Sequence, residues 1–209
     1  MKQPFRLRVV LLLVLFVAAP VRAAEPVVPA DGVTLTVPGE RLARIRSALD
    51  ADESNVKLWW FGWAGVIGGA AIGQTALSVA IKDPGFHSDM QAGAITSWLG
   101  IAGLALVPVK PLHRWESLLD APVELQLRMA EAELRDRAKR ERQVGGWIDH
   151  TLNVLVGLGA GAYLWFHEDR RATAISSSIV DILVGELQLW SVPHTAIHAV
   201  EALDAEKTR

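Results

Sequence analysis

The chain has 209 residues, enough for one ordinary domain or a small helical bundle, and its 51% of hydrophobic residues fall in strongly clustered runs. A net charge of −2, with no basic patch interleaved with aromatics, gives no field that recruits nucleic acid. The lack of cysteine excludes disulfides, thiolate metal sites, Fe–S clusters and thiol catalysis.

Lys2, Arg6 and Arg8 precede the apolar run VVLLLVLFVAA (9–19), and VRA stands before Ala24. Residues 1–23 therefore read as an export signal, with an uncleaved signal anchor as the alternative. Residues 24–57 read as an extramembrane segment. A proline-bearing linker (24–39), with a short strand expected at 33–37, leads into an amphipathic helix over 40–53 that sets Leu42, Ile45 and Leu49 on one face.

Four long apolar segments follow: 58–81, 91–109, 147–166 and 176–193. A hydrocarbon core needs about 20 apolar residues as helix; the first three reach that length and the fourth nearly does. Trp59, Trp60, Trp63, Trp147, Trp165 and Trp190 fall near segment ends, where interfacial belts favour amphipathic rings. Gly65, Gly69 and Gly73, and again Gly157 and Gly161, recur every fourth residue, a spacing that lets membrane helices approach closely. The alternative is a soluble helical core with buried tryptophan.

The segments pair. Gly100, Pro108 and His113 match Gly185, Pro193 and His198 at a constant offset of 85. The chain thus reads as two copies of one unit: helix, tight turn, helix, proline, short helix. The expected fold is all-α, an integral membrane four-helix bundle of two tandem helical hairpins (58–121 and 145–209) with amphipathic extramembrane helices. Between the copies, 122–144 forms a charged helix. Glu124–Arg128, Glu131–Arg135, Glu133–Arg137 and Asp136–Arg140 are spaced as i,i+4 ion pairs beside a thin stripe of Leu127, Ala130, Leu134 and Ala138. That pattern reads as a solvated or surface-lying helix.

Ionisable residues enter the apolar segments of the second copy only. Asp149, His150 and Asn153 open its first apolar helix, and Asp181, Glu186 and Gln188 interrupt its second, with Asp181 standing where the first copy has Thr96. A carboxylate at mid-membrane costs a few kcal/mol, so it should face protein or a water cavity. Asp181 and Gln188, seven apart, share a face; Glu186 points elsewhere. Two uses are open. One is a proton relay of Asp149 and His150 with Asp181 or Glu186; the other, favoured, is interhelical hydrogen bonding that fixes helix register. His194 and His198, four apart, with Glu201 and His113 on the same membrane side, form a candidate metal site that lacks a fixed third ligand. No nucleotide-binding or serine-nucleophile motif occurs, and no cofactor is expected.

The stretches GELQLWSVP (185–193) and GGWIDHTLNVLVGLGAG (145–161) resemble a group of bacterial multi-pass inner-membrane proteins of unassigned function. The resemblance covers residues 58–193 and implies a membrane location without implying catalytic residues. The expected role is a non-enzymatic scaffold that binds partners; the alternatives are a small transporter or channel component using the intramembrane carboxylates, and a membrane enzyme or metal-binding protein. The expected partners are the lipid bilayer and a second copy or an envelope protein. The expected location is the bacterial inner membrane, with the charged linker and C-terminal tail periplasmic. The export signal supports that orientation; the Lys/Arg distribution, with Lys82, Arg170 and Arg171 alone at the hairpin turns, argues for the reverse.

Overall fold

The computed structural model describes residues 38–110 and 121–207; the export signal, the linker with its strand at 33–37, and His113 lie outside them. Six helices and no strand occur among the described residues: α1 (Pro38–Ala80), α2 (Pro84–Leu106), α3 (Val123–Gln143), α4 (Trp147–Phe166), α5 (Arg171–Trp190) and α6 (Thr195–Lys207).

The amphipathic helix and the first apolar segment are one helix, not two. α1 runs for 43 residues, about 64 Å at 1.5 Å per residue. The junction DESNVK (52–57) holds neither glycine nor proline, and Glu53 and Lys57 pair across it at 2.6 Å, so nothing interrupts the backbone ladder. Asp83 starts α2 by accepting the Phe86 amide at 2.8 Å, with Pro84 in the first turn. α3 and α4 separate at Gly145, whose φ of +78° is the left-handed conformation that glycine adopts without strain.

The helices sort into two zones. The first half of α1, together with α3 and α6, forms a headpiece around Leu42, Ile45, Leu49, Ala130, Leu134, Ala138, Ala196 and Val200. Leu49 and Leu134 are wholly buried there, and each contributes about 1.5–3 kcal/mol by burial. The charged helix is thus a packed wall of the headpiece rather than a solvated rod. Its stripe is core, and two of its charges pair across helices instead of along it, Arg41–Glu131 (2.7 Å) and Arg135–Asp204 (2.6 Å), while Arg44–Glu206 (2.7 Å) joins α1 to α6. Only Glu133–Arg137 and Asp136–Arg140 form as the spacing predicts.

The rest of α1 with α2, and α4 with α5, make two hairpins that form a four-helix body. Its large apolar side chains point outward: Val79, Leu106 and Phe166 are more than 80% exposed, and Ile72, Ile95, Leu155, Ile179 and Leu183 are exposed as well. A bundle in water hides such a surface. Pro38–Ala80 and Arg171–Glu206 are long and apolar enough to cross a membrane, with 22% and 11% of their apolar windows buried. That differs from the three segments expected. The carboxylate-bearing fourth segment meets the test, whereas α2 is diluted chiefly by Asp89 and Gln91 and α4 by Asp149, His150 and Asn153.

Tryptophan also departs from expectation. Trp59 and Trp63 are 6% and 8% exposed, and they pack with Val56, Ile67, Leu104, Val109, Val144 and Val192 at the waist between headpiece and body. Both indole N–H groups donate to the Ser191 hydroxyl, at 3.1 and 2.9 Å. They are core residues that pin the end of α5, not belt residues. Trp147 and Trp190 are 76% and 71% exposed.

Below the headpiece core, Asp52 and Glu141 are each 2% exposed. The Glu141 carboxylate accepts the Ala196 and Ile197 amides at 3.2 and 2.9 Å, so a side chain of α3 caps α6. Arg137 donates to Asp52 Oδ2 at 3.1 Å, to the Leu49 carbonyl and to Glu133. Burial, and then the neighbouring Asp52, push the Glu141 carboxyl up to about 8 against the pull of the two amides. A proton on Glu141 offers a donor to Asp52 Oδ1, a buried atom otherwise without one. Because the folded value exceeds the unfolded one, this contribution is complete below about pH 4.5 and is lost as pH rises toward 8. Thermal melts of the detergent-solubilised chain are expected to show a midpoint that falls between pH 5 and 8.5. Glu141→Gln should flatten that slope; an unchanged slope would exclude the shared proton.

Candidate functional site: a cleft between the hairpins

The two hairpins do not close fully on each other. Between them lies a cleft of about 540 Å3, within the usual range for small-molecule sites. Each helix contributes one face at helical spacing: Ile67, Ala70 and Gln74 from α1; Thr96, Gly100 and Gly103 from α2; Asp149, Leu152, Asn153 and Val156 from α4; Asp181, Val184 and Gln188 from α5. The lining runs from the waist, at Pro108 and Val144, to mid-depth at Gln74, Thr96 and Asp181. None of it comes from the hairpin turns. There, Arg170 binds the Gly85 carbonyl and Asp89 Oδ1 (2.5 Å), and Ser88 donates to Glu168 at 2.7 Å. The two turns therefore sit together at one end.

Asp181 stands at the midpoint of α5 and is half-buried on the cleft wall. Gln188, two turns on, lines the same wall. Thr96 is within hydrogen-bonding reach of Asp181, and its hydroxyl also lies 3.0 Å from the Gly93 carbonyl, so its single proton serves one acceptor at a time. Across the cleft Ser97 donates to Gln74 at 2.9 Å. Gln74, Ser97 and Thr96 were absent from the sequence-derived candidates. Their only signal was being the polar side chains of otherwise apolar segments.

Glu186 points into the α4–α5 interface. His150 Nδ1 lies 2.6 Å from its Oε2, and Asn153 donates to its Oε1 at 2.9 Å and to the Ile182 carbonyl at 3.0 Å. Asp149 accepts the Gly145 amide at 2.9 Å and so secures the break before α4. The structure thus brings His150, Asn153 and Glu186 together, sets Asp181 with Thr96, and gives Asp149 a backbone partner. The hydrogen bonds of the first group lock the register of two helices. His194, His198 and Glu201 are all exposed. His198 Nδ1 stands 3.7 Å from Glu201 Oε2, and among the described residues no three His, Asp or Glu converge on a point that holds a metal.

Glycine sets how closely the hairpins pack. Gly157 and Gly161 receive Ile182 and Ser178 of α5, as their spacing predicts. A Cβ at Gly161 would also stand 3.0 Å from the Ala174 carbonyl, which is backbone and cannot turn away. On the other hairpin the roles invert. Side-chain carbons on Gly65, Gly69 or Gly73 would meet nothing within 4 Å, and the close approaches are Gly93 and Gly100 of α2 against Gln74 and Ile67 of α1. Gly161→Leu is accordingly expected to destabilise by about 1–3 kcal/mol through overpacking, while Gly69→Leu leaves the detergent-melt midpoint unchanged. Equal midpoints for the two variants would show that this α4–α5 contact is absent.

Scanning the chain against protein-family models, and searching the curated proteins and the solved structures, gave no match, so the likeness to bacterial multi-pass membrane proteins rests on the quoted stretches alone.

Proposed function

We propose that the chain is a multi-pass protein of a bacterial inner membrane, a two-repeat four-helix bundle acting as a small transporter component whose interhelical cleft receives a small molecule beside Asp181. The observation that carries this reading is the cleft itself. It reaches mid-depth in a body whose exterior is apolar, and it ends at a carboxylate. α4, at 20 residues or about 30 Å, matches the thickness of a hydrocarbon core.

The two-repeat reading draws support from contacts at the offset of 85. Shifted by that amount, Pro38–Ala80 falls on 123–165, occupied by α3 and α4, and Pro84–Leu106 falls on 169–191, beside α5. Three pairs of positions separated by 85 touch each other: Asp52 with Arg137, Gly85 with Arg170, and Thr96 with Asp181. Positions on a two-fold axis meet their own equivalents, and these pairs are what an axis through headpiece, cleft and turns would produce. Parallel repeats about an axis along the membrane normal, with the substrate site between them, are one known plan of secondary transporters.

A second reading, a scaffold for an envelope partner, is favoured by the headpiece, whose cross-helix ion pairs form a polar platform outside the apolar body. With an export signal cleaved, that platform faces the periplasm and the turns face the cytoplasm. Reporter fusions at residue 86 and after residue 209 are expected to place the first inside and the second outside; both outside would exclude four spans.

The cysteine-free chain allows a direct test of the cleft. In membranes, Val184→Cys, on the cleft wall, should react with a charged, water-soluble maleimide about tenfold faster or more than Ile179→Cys on the outer face. Equal fast labelling would put the body in water. Equal slow labelling would show a cleft closed to solvent and overturn the transport reading.

A further inference from the structure

Among the described residues the ionisable groups lining the cleft are Asp149 and Asp181; no lysine, arginine or histidine lines it. The nearby bases are engaged elsewhere: His150 with Glu186 inside the α4–α5 interface, and Arg137 and Arg140 with carboxylates of the headpiece. The remaining wall is mostly aliphatic, with Gln74, Thr96, Ser97, Gln143, Asn153 and Gln188 as neutral polar groups. An anion would meet like charge. A hard metal ion requires several oxygen ligands within about 2.0–2.6 Å, and among the described residues no three His, Asp or Glu converge to supply them. A neutral ligand would leave a carboxylate at mid-depth with no compensating charge, at a cost of a few kcal/mol. An organic cation satisfies both features at once, its charge against Asp181 and its hydrocarbon against the aliphatic wall.

The lining narrows the class further. Quaternary ammonium ions are held by cages of aromatic rings, and no Trp, Tyr or Phe lines the cleft among the described residues. Recognition must then come from N–H donors directed at the carboxylate and at Gln188. We infer that the cleft binds a protonated alkyl amine, a cation that carries both N–H groups and an aliphatic body, with Asp181 as its counter-ion. This rests on the transporter reading and names its substrate class. The same chemistry is offered by an amine dissolved in water and by a long-chain amine held in the bilayer.

The test uses the full chain with Val184→Cys in neutral phosphatidylcholine vesicles and follows the rate of maleimide labelling. Cyclohexylamine, which stays in water, and hexadecylamine, which stays in the bilayer, are compared with cyclohexanol and hexadecanol. At least one amine is expected to protect the thiol at concentrations about tenfold below its alcohol. Protection by cyclohexylamine alone assigns an aqueous source, and by hexadecylamine alone a bilayer source. Asp181→Asn should abolish the amine preference and Asp181→Glu should restore it, with the alcohols reporting that the variants still fold. Equal protection by amine and alcohol would overturn the amine inference and leave the cleft as a ligand site. Rapid labelling that no probe slows would overturn the ligand site itself. Amine preference that survives Asp181→Asn would remove Asp181 as the counter-ion.

Discussion

Asp181 sits midway along a helix whose outer face carries Ile175, Ile179 and Leu183. A carboxylate turned toward hydrocarbon costs a few kcal/mol, a large share of the total stability of an ordinary domain. In the membrane reading proposed above, α5 therefore has one permitted rotation about its axis, the one that presents Asp181, Val184 and Gln188 to the interior. That rotation turns Glu186 toward α4, where His150 and Asn153 meet it, and brings Ser178 against Gly161. The α4–α5 hairpin is thus organised by keeping one charge away from the surface. The cleft is the space this arrangement leaves facing the other hairpin.

The headpiece solves the opposite problem. It is polar outside, and its difficulty is the charge it buries. Arg137, Asp52, Glu133 and Glu141 lie at the junction of α1, α3 and α6, and removing any one partner strands the others. Keeping Glu141 protonated reduces the count to one cation and two anions and leaves a donor for Asp52. The same carboxyl caps α6, so the headpiece helices are joined through a group whose charge depends on pH. Trp59, Trp63 and Ser191 then tie this zone to the body at the waist.

Much of this was legible in residue patterns. Leu42, Ile45 and Leu49 fall on one face at helical spacing, as do Ala130, Leu134 and Ala138, and all are buried. Gly157 and Gly161 announced a close contact that α5 makes. The shared face of Asp181 and Gln188 follows from their separation of seven and appears as one wall of the cleft. Other features were misread where one pattern serves two physical ends. A tryptophan near a segment end suits a belt or a waist, and only the presence of Ser191 within reach makes Trp59 and Trp63 core. Acid–base spacing of four suits a solvated helix, but Glu131 and Arg135 find better-placed partners on α1 and α6.

By itself, the sequence determined the all-helical character seen among the described residues, because helix periodicity, glycine, proline and clustered apolarity act locally. Only the tertiary structure decided which polar residues belong together. His150 and Glu186 are 36 positions apart and Ser97 and Gln74 are 23 apart, and pairing at such distances depends on how helices rotate and cross rather than on any local propensity. The cleft belongs to the same class of fact, since it is a volume left between four faces, each of which is specified by its own helix and none of which encodes the gap.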